Sequence, residues 1–194
     1  MSLERFAFIV SRCFDFYFWF PFGLLIAIFN SGLASDQIKI LLPFLIFFDV
    51  FLPIFLFLLI LKLGWVSDVD VTKRQERYQL FIGFTLILIA PTVLAYYFGN
   101  TLFFVLQLIT LISALCMYLA TLKFKISGHM FMNAEAILVI NYLFSWNLLW
   151  LFLILPLVAF ARFYLKKHSL FQIFAGCFLG LVIPLLILKI FKFI

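Results

Sequence analysis

Charge is scarce in this sequence. Lys, Arg, Asp and Glu make up 11% of its 194 residues, where a soluble domain carries about 25%. Hydrophobic residues supply 68%, more than a soluble fold of this size can bury. That excludes a cytosolic enzyme, a secreted module and a disordered chain. Cysteine is also rare. Cys13, Cys116 and Cys177 are far apart and lack CxxC spacing, which excludes a disulfide framework and a zinc site and leaves them as small apolar fillers. There is no internal repeat, no low-complexity linker and no sign of a second domain, so residues 1–194 read as a single integral-membrane domain. Histidine is the scarcest chemical resource, with only His129 and His168.

What is abundant is long apolar sequence, with a mean hydropathy of +1.27. Seven runs stand out, at 16–34, 40–62, 79–98, 101–122, 128–144, 147–165 and 169–190. At 1.5 Å per residue most can cross a hydrocarbon core of about 30 Å. Lipid cannot satisfy backbone polar groups, and no alternating barrel pattern is present, so the spans are helices. The expected fold is all-α, a polytopic membrane bundle of six to seven transmembrane helices. Arg5 and Arg12 precede the first run as in a signal peptide, but Asp15 and a crowd of aromatic residues occupy the place of a small-residue cleavage site. A retained first helix is expected.

The net charge of +6 comes from basic residues placed between the apolar runs. That distribution points to anionic lipid headgroups or phosphates as partners and away from nucleic acid. The basic junctions at 62–77, 123–129 and 162–168 are separated by two crossings each time. Parity therefore puts all three on one membrane face, together with both histidines and the N-terminus.

Each junction has a bland reading beside a chemical one. In the first, Thr72 and Gln75 form a capping-box pattern, so a helix is expected to start near Lys73. Lys73 and Arg77 then share a face and form either a phosphate clamp or an interfacial anchor. In the second, Ser127 is a good N-cap ahead of Gly128 and His129, giving either an anion site at a helix start or an ordinary capped helix. In the third, His168 and Gln172 are four apart and share a helix face. Arg162 lies about 240° round an ideal helix from His168, so a break is required for both to face one site. Ser169 and Gln172 also form a capping box, which leaves Gln172 to cap its helix, to orient His168, or to do neither.

Taken together, these residues resemble the type 2 phosphatidic acid phosphatases, which share a core with vanadium haloperoxidases and carry the motifs K-x6-R-P, P-S-G-H and S-R-x5-H-x3-D. Ser127-Gly128-His129 is similar to the second motif, with Ile126 for Pro. Ala161-Arg162, His168 and Gln172 match the third motif's spacing, with Ala for Ser and Gln for Asp, and Gly176 suits members that continue with glycine. Arg77 matches the Arg of the first motif, with Tyr78 for Pro, Asp70 in the Lys position and Lys73 displaced from it. The resemblance spans about residues 65–185.

The resemblance implies a membrane-embedded lipid phosphatase acting on a lipid phosphate or polyprenyl diphosphate. His168 is then the nucleophile and forms a phosphohistidine. Arg162 and Arg77, helped by Lys73 or Lys125, hold the phosphoryl oxygens. Ser127 and Gly128 border the phosphate, Gly128 allowing the backbone to approach it. His129 protonates the leaving oxygen, and Gln172 stands where a carboxylate would orient His168. No metal and no other cofactor is implied; the partners are the lipid phosphate and the surrounding membrane lipids.

The competing reading is an inactive relative that binds phospholipid or scaffolds other membrane proteins. A small transporter is a third reading, because Asp49 and Glu135 are ionisable residues inside apolar runs. Glu135 lies about 9 Å along its helix from His129, within reach of a site cation, while Asn133, Asn141 and Gln107 read as interhelical hydrogen-bond glue. Counting Lys and Arg places the motif face in the cytoplasm. The resemblance implies the opposite face of a prokaryotic plasma membrane, and that placement is expected here because most of those cations are site residues.

Overall fold

The computed structural model describes residues 2–71 and 73–194, and for residues 16–21 the backbone alone. The secondary structure of these residues is helical, without strands. In chain order the elements are α1 (Leu3–Cys13), α2 (Phe16–Asn30), α3 (Ser35–Leu45), a π-helical turn (Ile46–Phe51), α4 (Leu52–Lys62), α5 (Arg74–Tyr97), α6 (Thr101–Lys123), α7 (Gly128–Leu143), a 3-10 turn (Leu149–Leu153), α8 (Ile154–Tyr164) and α9 (Leu170–Ile190).

Among the described residues, four helices are long and apolar enough to cross a membrane: Ser35–Lys62, which includes the π turn, Arg74–Tyr97, Thr101–Lys123 and Leu170–Ile190. The other three runs form shorter elements. α7 has 16 residues, about 24 Å of helix. It stops because Ser145 and Trp146 turn left-handed, and their amides close back onto Tyr142 and Asn141 in a Schellman-type end. The sixth run opens in a 3-10 turn before α8, and α2 begins only after the bend at residues 14–15. The apolar runs mark where helices can lie, whereas these local stops set the helix lengths.

The chain folds into two compact units, residues 2–26 with 126–194 and residues 27–125. In the first, α7 packs against α9 and α1 against α8. The α7–α9 approach depends on two glycines four residues apart, a small-xxx-small pattern that lets membrane helices come close. A Cβ on Gly176 would lie 2.5 Å from the Ser127 carbonyl oxygen, and one on Gly180 would meet the carbonyl of Phe131. α1 buries Ala7 and Val10 against Ala161 of α8, leaving Phe8 and Ile9 exposed.

In the second unit α5 pairs with α6. Arg74 donates to the carbonyls of Leu122 (3.1 Å) and Lys123 (2.7 Å), so the head of α5 lies beside the foot of α6. Asn100 caps α6 through Phe103 N–H and also reaches the carbonyl of Ser31. The π turn precedes Pro53, which has no N–H for the Asp49 carbonyl and would crowd it in a regular helix. The Leu52 amide instead reaches back five residues to Phe47, and this wider turn absorbs the mismatch. Asp49 sits on it, buried, and accepts a hydrogen bond from Gln107 Nε2 at 2.9 Å.

Candidate active site

The residues singled out around the second and third junctions come together at one end of the first unit. Ser127 is the N-cap of α7 and its hydroxyl accepts from Met130 N–H, which places His129 in the first turn. Ser127 N–H donates to the Gln172 carbonyl at 3.1 Å, so the starts of α7 and α9 are directly joined, with Gly176 packed beneath.

The break required between Arg162 and His168 is present. α8 ends at Tyr164, and Lys166 takes a left-handed φ of 53°. The Lys166 and Lys167 amides donate to the carbonyls of Phe163 and Arg162. This is a Schellman end with lysine in the position glycine usually takes. α9 then restarts from the Ser169 N-cap.

Gln172 makes both of the contacts left open above. Its Oε1 accepts the Ser169 backbone N–H at 3.3 Å, and Ser169 Oγ accepts the Gln172 N–H, completing the capping box. The same Oε1 lies 3.1 Å from His168 Nδ1. A backbone N–H can only donate, so the amide atom facing it must be the oxygen. His168 Nδ1 therefore carries a proton, and in the neutral ring the lone pair falls on Nε2. The ring is buried.

Arg162 is 1% exposed, a cation held inside the first unit. Its Nη1 donates to Ser11 Oγ at 2.8 Å and lies 3.5 Å from His129 Nε2. Asp15 brings a carboxylate to the same place, with Oδ1 3.4 Å from His129 Nε2 and Oδ2 3.2 Å from Arg12 Nη1. Asn133 holds the Asp15 segment in position, donating to both the Phe14 carbonyl (2.9 Å) and the His129 carbonyl (2.7 Å). Ser11, Arg12 and Asp15 were not singled out from the sequence as site residues. The usable signal was a short charged and apolar pattern ahead of the first run, consistent with an amphipathic helix, but no local pattern links residue 15 to residue 129.

Arg77, Lys73 and Lys125 belong to the second unit. Arg77 is buried in the first turns of α5, where Nε donates to the Val71 carbonyl at 2.6 Å and Nη2 to that of Asp70 at 3.4 Å. It thus fastens the loop that precedes its own helix. Lys73 is exposed and pairs with Glu76 at 3.2 Å, while Glu76 also accepts from Ser67 N–H and Oγ. α5 starts at Arg74 with Lys73 as its N-cap, so Lys73 precedes the helical face expected to carry it with Arg77. Thr72, read as one end of the capping box, lies outside the described residues. Lys125 is half-buried in the connection before Ile126. Glu135 is half-buried in α7, and Asn141 bonds within its own helix to the Ile137 carbonyl.

No known protein family, curated protein or solved structure matches the chain. Function must therefore be argued from the chemistry of these side chains.

Proposed function

We propose that the chain is a multi-pass membrane phosphatase that hydrolyses a lipid phosphate or polyprenyl diphosphate through a phosphohistidine, as its resemblance to the type 2 phosphatidic acid phosphatases implies. In this reading the long helices are joined by α2, α7 and α8 as shorter or tilted crossings, six or seven in all. The catalytic end faces outward from a prokaryotic plasma membrane.

The observation that carries the proposal is the His168–Gln172 bond, which leaves the lone pair of a buried imidazole on Nε2. That nitrogen attacks phosphorus and the bond to the leaving oxygen breaks. Arg162 supplies fixed positive charge beside His129, where charge develops on the phosphoryl oxygens. His129 gives a proton to the leaving oxygen and later accepts one from the water that releases phosphate. Arg77, with Lys73 or Lys125, is the further cationic set that the resemblance implies.

A second reading, a lipid-phosphate binder without turnover, is favoured by two specific features. Arg77 is committed to two backbone carbonyls of its own loop, and Gln172 brings no charge to His168. The test is phosphate release from a panel of lipid phosphates and diphosphates by detergent-solubilised protein in EDTA, with vanadate as inhibitor. Release from at least one lipid, abolished by His168→Ala, is expected. Folded wild-type protein that releases nothing, yet binds one of the lipids, decides for the binder.

A further inference from the structure

We propose that Asp49 and Gln107 form a cation-binding site at the middle of the membrane, which takes a monovalent cation, a proton or a sodium ion, from outside the chain. The inference is independent of the phosphatase reading. Both residues lie in the second unit, and the chemistry assigned above uses neither.

Depth is the first part of the argument. Asp49 stands 14 residues after Ser35 and 13 before Lys62, the ends of its span. That is about 20 Å of helix on either side, against about 15 Å for half of a hydrocarbon core. A lysine or arginine can stretch its stem toward the interface, but the short aspartate side chain stays at the depth its backbone sets. The π turn at Ile46–Phe51 sets that position, and such turns recur at functional sites. It turns Asp49 inward to 1% exposure, while Phe47 and Phe51 on the same turn remain exposed.

One carboxyl oxygen has a partner and the other has none. Gln107 Nε2, on α6, donates to Oδ2 at 2.9 Å. Thr92 of α5 steadies that partner, its hydroxyl shared between the carbonyls of Leu88 (2.8 Å) and Gln107 (3.4 Å). Oδ1 is enclosed, without a hydrogen-bond partner among the described residues. The Gln107 amide is neutral, so it orients the carboxyl and leaves its charge unbalanced.

The chain's own cations are far off. The π turn packs against α3, α4 and α5, and α6 contributes Gln107. The basic residues of these elements are Lys39, Lys62, Arg74, Arg77 and Lys123, all toward helix ends. Lys39, on the same span, is about 15 Å along the helix from Asp49 and pairs with Asp36. Among the other titratable groups, Asp36, Glu76 and the α5 tyrosines are also toward helix ends, and Cys116 and Tyr118 lie more than about two turns beyond Gln107. A carboxylate enclosed in an apolar interior needs a positive charge beside it. These elements supply none, so the charge comes from outside and goes to Oδ1, the oxygen left open.

The test uses the full chain in lipid bilayers, with 13C at the carboxyls of Asp15, Asp36, Asp49, Asp68 and Asp70. The Asp49 signal is assigned by its loss in Asp49→Asn. Within the wild type its dipolar coupling to the Gln107 side-chain 15N assigns it as well, so the reading does not require the variant to fold. At neutral pH in choline chloride, exposed Asp36 should show the chemical shift of a carboxylate and Asp49 that of a cation-bound carboxyl. A protonated-acid shift at Asp49 that sodium chloride leaves in place identifies the proton. A signal that moves when sodium chloride replaces choline chloride identifies sodium. An Asp49 carboxyl that is ionised in choline chloride and indifferent to sodium chloride overturns the proposal.

Discussion

At the scale of single residues the most informative side chain is Gln172, because one oxygen serves a helix cap and a histidine at once. Gln172→Glu keeps the length of the side chain and turns both contacts into charge-assisted bonds. The bond to His168 should gain about 1 kcal/mol, or several-fold in turnover. A carboxylate in the first turn of α9 should add about 0.3–1 kcal/mol of stability. Rate and melting temperature measured on one preparation separate the two effects: a higher melting temperature with unchanged turnover would leave the cap and remove the orienting role. The sequence brought Gln172, Ser169 and His168 into view because capping boxes and i,i+4 pairs are local patterns. It did not choose between the roles, since both require the same helix start. Asp15 was invisible for the opposite reason. Its contact with His129 spans more than a hundred residues and depends on how α1, α7 and α8 pack.

At the scale of elements, the site depends on how closely α7 and α9 approach. The sequence showed two apolar runs and a glycine at residue 176, and the contact itself required the three-dimensional register of Gly176 and Gly180 against the α7 backbone. In Gly180→Ala the added methyl meets the Phe131 carbonyl and lies 3.0 Å from Ala134 Cβ. Backbone atoms cannot step aside as a flexible side chain can, so the helices must separate, at a cost of about 1–3 kcal/mol. The expected outcome is a lower melting temperature together with loss of activity, because the Ser127–Gln172 bond that joins the two helix starts is strained by the same displacement. Gly23→Ala is the control. Nothing lies within 4 Å of the added atom there, and no loss of stability is expected, rather a gain of up to about 1 kcal/mol from replacing glycine inside a helix. Equal effects at both positions would show that close packing at Gly180 is unimportant.

At the scale of the whole molecule, charge and parity make a prediction about orientation. The foot of α8 and the heads of α7 and α9 share one end of the first unit, so a single accessible position there reports the side on which His129, Arg162 and His168 lie. Lys166 is exposed in that turn. The apolar runs made helices and a membrane legible, but they carry no direction, and the usual signal for direction is compromised here. Positive residues mark the cytoplasmic side because they resist transfer across the membrane, yet Arg162 is buried in a polar cluster and Arg77 binds its own loop, so neither is an ordinary loop cation. A Lys166→Cys protein, in a background with Cys13, Cys116 and Cys177 replaced by serine, should react with a membrane-impermeant maleimide in intact cells. Lys39→Cys, exposed near the start of α3, should react only after permeabilisation if the proposed crossings hold. The reversed pair of results would place the histidines in the cytoplasm and confine substrates to the inner leaflet. Labelling of both positions in intact cells would break the parity itself, requiring one of the short elements α2, α7 or α8 to enter the membrane without crossing it.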